Sequence, residues 1–66
     1  MNGYIPLDKV LKALLSGKTL VIDYPLEHNG ISDRRINLEL MDRLDWTSTL
    51  QMYVLKRVTH IEKGKQ

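Results

Sequence analysis

Residues 4–24, YIPLDKVLKALLSGKTLVIDY, change hydrophobic period once, and that change restricts the chain to folds that pack a helix on a sheet. Leu7, Val10, Leu11 and Leu14 recur at i, i+3, i+4 and i+7, one face of a 3.6-residue helix. Pro6 suits the first helical turn, where a missing N–H costs nothing, and Gly17 suits the left-handed stop. Asp8 and Lys12 stand four apart in the favourable order, so the spacing predicts a helix over residues 6–16. Thr19-Leu20-Val21-Ile22 then brings β-branched residues. A strand is expected from Thr19 to Tyr24, ended by Pro25, which cannot donate to a ladder.

Asn29-Gly30 is the strongest turn signal downstream, because both residues tolerate the positive φ of a tight hairpin. His28 and Ile31 would flank it. Arg34 to Leu40 alternates Ile36, Leu38 and Leu40 with Asn37 and Glu39, as a half-buried strand does. A helical reading of the same stretch places Ile36, Leu40 and Leu44 on one face behind a Ser32 cap. Residues 41–49 are polar and turn-rich around Trp46. Residues 50–61 are rich in strand formers, with Leu50, Met52, Val54 and Val58 on one face. The helical competitor faces Leu50, Val54, Val58 and Ile61 inward behind a cap at Thr47 or Ser48.

The expected architecture is α+β: an N-terminal helix packed on a three-stranded antiparallel sheet, in the order α-β-β-β. Its alternative makes residues 32–45 and 48–62 helical. The expected core is Leu7, Val10, Leu11, Leu14, Leu20, Ile22, Ile36, Leu38, Leu40, Val54 and Val58. The 66 residues form one expected domain with a frayed tail over residues 62–66. A chain of this length buries only about 60% of its unfolded surface. With no cysteine to staple it, a homodimer or a bound partner is the expected further source of burial.

Much chemistry is excluded. His28 and His60 are far apart and lack acids at ligand spacing, so no metal or other cofactor is expected. There is no cysteine nucleophile and no serine in a glycine-flanked elbow. Ser16-Gly17-Lys18-Thr19 looks like a fragment of a phosphate loop, but its helix precedes it instead of following it. Asp42 and Asp45 fall in a polar stretch and read as solvated. The chain is therefore expected not to be an enzyme. The start has neither a basic n-region nor an apolar h-region, and no apolar run suits a membrane span, so a cytoplasmic protein off the membrane is expected.

The formal net charge of +2 divides into −1 over residues 1–33 and +3 over residues 34–66. Arg34-Arg35 and Lys56-Arg57 are the basic doublets. On adjacent strands they would present Arg35 beside Asn37 and Glu39, and Arg57 beside Tyr53 and Leu55. Two readings follow. The first is a small protein-binding module, an inhibitor, adaptor or regulator of the kind phages and mobile elements carry, whose partner contacts are Trp46, Tyr53, Leu55, Arg35 and Arg57. Tryptophan, tyrosine and arginine are the types enriched at binding hot spots. The second is a nucleic-acid-binding regulator that uses Arg34, Arg35, Lys56 and Arg57 on phosphates, with tyrosine available for stacking.

Overall fold

The computed structural model describes residues 3–28, 30–43 and 47–63, with the side chains of residues 28 and 31 left aside. Its elements are α1 (Leu7–Leu15), β1 (Thr19–His28), β2 (Ile31–Ile36), α2 (Leu38–Arg43), α3 (Ser48–Leu55) and β3 (Val58–Glu62). The strands form one antiparallel sheet in the order β2-β1-β3. The α+β class, with an N-terminal helix and a three-stranded antiparallel sheet, is as expected. Two short helices between β2 and β3 are additional.

α1 begins where Pro6 presents its carbonyl to the amides of Lys9 and Val10, both at 3.1 Å. It ends as the composition demands. Gly17 adopts φ 86°, its amide bonds the Leu14 carbonyl at 3.1 Å, and the Lys18 amide reaches back to Ala13 at 3.0 Å. This paired closure satisfies carbonyls that would otherwise be orphaned at the helix end.

β1 runs to His28, past Pro25, which was expected to end it. The register explains the tolerance. Between Val21 and Leu26, four residues of β1 oppose the single residue Arg34 of β2, while β3 pairs β1 only from Thr19 to Ile22. Pro25 therefore sits in a wide bulge where no ladder amide is required. The hairpin closes as predicted, with His28 opposite Ile31 and Gly30 at φ 78°. On the other side of β1, Thr59 is an extra residue in β3, and its hydroxyl donates to the Val21 carbonyl at 3.2 Å. The outer edge of β3 is also occupied, since the Ile5 amide bonds the Val58 carbonyl at 2.9 Å.

The second half departs from the expected strands. β2 stops at Ile36 because the Asn37 side chain accepts the Leu40 amide at 2.9 Å and starts α2. Thr47 does the same for α3, accepting the Leu50 amide at 3.1 Å. Residues 50–61 are thus a helix followed by a short strand, and Glu62 closes β3 opposite Thr19. β2 and β3 flank β1, so residues 34–40 and 50–61 are not adjacent strands.

Leu20, Ile22, Ile36 and Val58 form the sheet's share of the core. Over them pack Val10, Ala13 and Leu14 of α1, Met41 of α2, and Val54 and Leu55 of α3. Leu7 and Leu40 lie at its margin, whereas Leu11 and Leu38 are exposed. Leu38 lost its expected inward place when the chain turned helical at Asn37. Burying a valine, leucine or isoleucine side chain contributes about 1.5–3 kcal/mol, so these ten buried apolar residues are a principal stabilising contribution. Among the described residues no polar side chain is buried with them.

Candidate functional site

The expected site residues scatter. Arg35 lies on the sheet face away from the core, on the row Arg35–Val21–His60. Its Nε bonds the Glu62 carboxylate at 3.1 Å, and Asp33 lies at 3.9 Å. Such an exposed pair contributes only about 0–1 kcal/mol, but it leaves Arg35 matched by two acids. Arg34 and Lys56 are exposed, the former opposite the bulge and the latter in the turn after α3. Arg57 sits before β3, at the opposite end of that strand from Glu62. The basic doublets do not converge on one face.

Leu55 is 4% exposed and belongs to the core, which corrects its expected place beside Tyr53 on an outer surface. A helix turns successive residues by about 100°, so neighbours such as these need not share the side a strand would give them. Trp46 lies outside the described residues.

Tyr53 and Arg57 do come together, with three residues that sequence reasoning did not enlist. The Arg57 guanidinium carbon lies 4.2 Å from the Tyr53 ring centroid and 5.9 Å from that of Tyr4. Tyr24 meets Tyr53 with ring centroids 6.3 Å apart and tilted by 55°. The Tyr4 hydroxyl donates to the Asp23 carboxylate. The bulge in β1 places Asp23 and Tyr24 at this end of the sheet, and the segment before α1 supplies Tyr4. No local pattern pairs residues 4, 23 and 57, so only the fold could find them.

Electrostatics follow the contacts. The hydrogen bond to Asp23 raises the Tyr4 phenol above its ordinary 10.0, with partial desolvation adding to it and Arg57 opposing. Tyr24 is raised mainly by burial. Arg57 is raised chiefly by the Tyr53 side chain, against a smaller desolvation effect. The Arg57 Nε is shielded without a hydrogen-bond acceptor, so the ring faces are the surroundings that compensate it.

α3 widens this patch. Val54 and Leu55 face the core, yet Leu50, Met52 and Tyr53 of the same helix are exposed, Tyr53 by 48%. Among the described residues no three histidine, aspartate or glutamate side chains gather as a metal site would require, and no helix is long and apolar enough to cross a membrane. No protein-family model, curated protein or solved structure matches this chain.

Proposed function

We propose that the chain is a small non-enzymatic protein-binding module, an inhibitor, adaptor or regulator, and that its partner covers the outer side of α3. The observation that carries this reading is α3 itself, which buries Val54 and Leu55 yet also exposes Leu50, Met52 and Tyr53 at the surface. Contiguous exposed apolar area ordinarily marks association. Tyr53 and Arg57 would anchor the contact. They are hot-spot residue types, and their mutual stacking with Tyr4 and Tyr24 fixes their rotamers before a partner arrives.

The nucleic-acid alternative has less support. Arg35 already faces Glu62 and Asp33, and Arg57 lies over tyrosine rings. A continuous cationic track for a phosphate backbone would need both turned outward.

The test places a photo-cross-linking amino acid at Leu50 or Tyr53 in the chain expressed in its native host. One protein adduct is expected, formed in nuclease-treated and untreated cells alike, and abolished by Arg57→Asp in a variant with unchanged circular dichroism. Absence of any protein adduct from both positions, or adducts that vanish with nuclease, would overturn the reading.

A further inference from the structure

α1, α2 and α3 enclose an open groove of about 740 Å³ floored by Leu14, Met41 and Leu55, with Gln51 on its α3 side. Leu11 walls it on α1 and Leu38 on α2, with Glu39 and Asp42 along the α2 edge. Both walls are partly exposed, Leu38 by 45% and Leu11 by 36%, and Leu15, one turn beyond Leu11, is 74% exposed. Around α1 beyond Leu11 come Leu15, then Asp8 and Lys12, all three exposed.

We infer that this groove is the interface of a homodimer, occupied by the α1 ridge of a second copy of the chain. The charge pattern selects the occupant and its orientation. One edge of the apolar strip carries Asp8 and Lys12, and the opposite edge carries Glu39 and Asp42 followed by Arg43. A two-fold axis running along the groove lays each copy's α1 edge on the partner's α2 edge, with Lys12 set against acid and Asp8 against Arg43, which makes the surface self-complementary. The levels also agree. Leu38 and Glu39 share a neighbouring depression with Gly17, so the start of α2 stands beside the end of α1. The same axis therefore seats Leu15 of each copy against Leu38 of the other and places Lys12 beside the partner's Glu39. Asp8, one turn before Lys12, approaches Arg43 beyond Asp42. A chain this small gains from such closure, because its own core covers so little of its surface. This interface is separate from the outer side of α3, so the two can be occupied together.

Sedimentation equilibrium of the full chain, from low to high micromolar, tests the inference. A monomer–dimer equilibrium is expected. Leu15→Asp, at a position too exposed to matter to folding, should raise the dissociation constant at least about tenfold, as should Lys12→Glu. Combining Lys12→Glu with Glu39→Lys should restore much of the lost affinity, because the edges are exchanged in both copies. A strict monomer at every concentration would overturn the inference, as would a dimer indifferent to Leu15→Asp. A dimer weakened by Arg57→Asp but not by Leu15→Asp would move self-association to the α3 face. Loss of the α3 cross-link with the dimer intact would remove only the reading of the previous subsection.

Discussion

The guanidinium of Arg57 stacks over the Tyr53 ring at 4.2 Å, within the range where a cation and the negative face of an aromatic ring attract. The contact packs the turn between α3 and β3 onto the outer side of α3, adding to the backbone bonds from Lys56 to Met52 and from Arg57 to Val54. Replacing the ring should loosen that contact while leaving the core intact. Tyr53→Leu is expected to lower the urea midpoint slightly, and Tyr53→Phe, which keeps the ring, much less. Equal losses in the two variants would assign the effect to the hydroxyl.

Tyr4 and Tyr24 make stability fall at alkaline pH. Both phenols are held above their ordinary 10.0 in the folded chain, Tyr4 by its hydrogen bond to Asp23 and Tyr24 by burial. A raised folded value means the unfolded chain loses its proton first, so the stabilisation is complete below pH 10.0 and is lost as pH climbs through the folded values. Denaturation midpoints should decline above pH 10.0. Tyr4→Phe should reduce the decline, and phenol absorbance should lose part of its late-titrating fraction.

Asn37 decides where the sheet gives way to helix. Its side-chain oxygen accepts the Leu40 amide at 2.9 Å, one of the donors a helix start leaves orphaned. Asn37→Ala should cost about 1 kcal/mol, and Asn37→Asp, which keeps the acceptor, a fraction of that. Chemical denaturation of the pair checks this. An equal loss in both would refute the capping role.

That junction also marks the limit of what the sequence discloses. α1, its glycine stop, the first part of β1 and the tight hairpin were legible because each rests on local rules of period and backbone conformation. After Ile36 the local signals compete: Leu38 and Leu40 alternate as a strand would, while Asn37 offers a cap. A single side-chain hydrogen bond and the burial of Met41 settle the contest in favour of helix, and neither is visible in a window of alternation. Val54 and Val58 misled in the same way, as strand formers that straddle a helix and a strand. Of the site, Tyr53 and Arg57 were legible by residue type. Tyr4, Asp23 and Tyr24 were not, since the β1 bulge and the segment beside β3 bring them in.

Gly17 is required by its backbone alone. It holds φ 86°, and a Cβ built there would meet nothing within 4 Å. Gly17→Ala should therefore cost about 1–2 kcal/mol through the left-handed conformation and not through a clash. Gly17→Asn, a residue that visits that region more readily, should recover part of it. Thermal melts of the two variants distinguish backbone strain from packing.

Leu50 and Leu55 separate the two sides of α3. Leu55 is 4% exposed and contacts the core cluster, whereas Leu50 is 43% exposed. Truncating a buried leucine removes its transfer free energy and leaves a cavity, so Leu55→Ala should cost about 2–5 kcal/mol. In a domain this small such a loss is a large share of the total, and far-ultraviolet circular dichroism should show a substantially unfolded population at ambient temperature. Leu50→Ala should keep the native spectrum and a midpoint near that of the parent. If Leu50→Ala proved the more damaging, the outer side of α3 would be core, and the surface proposed for a partner would not exist in the free chain.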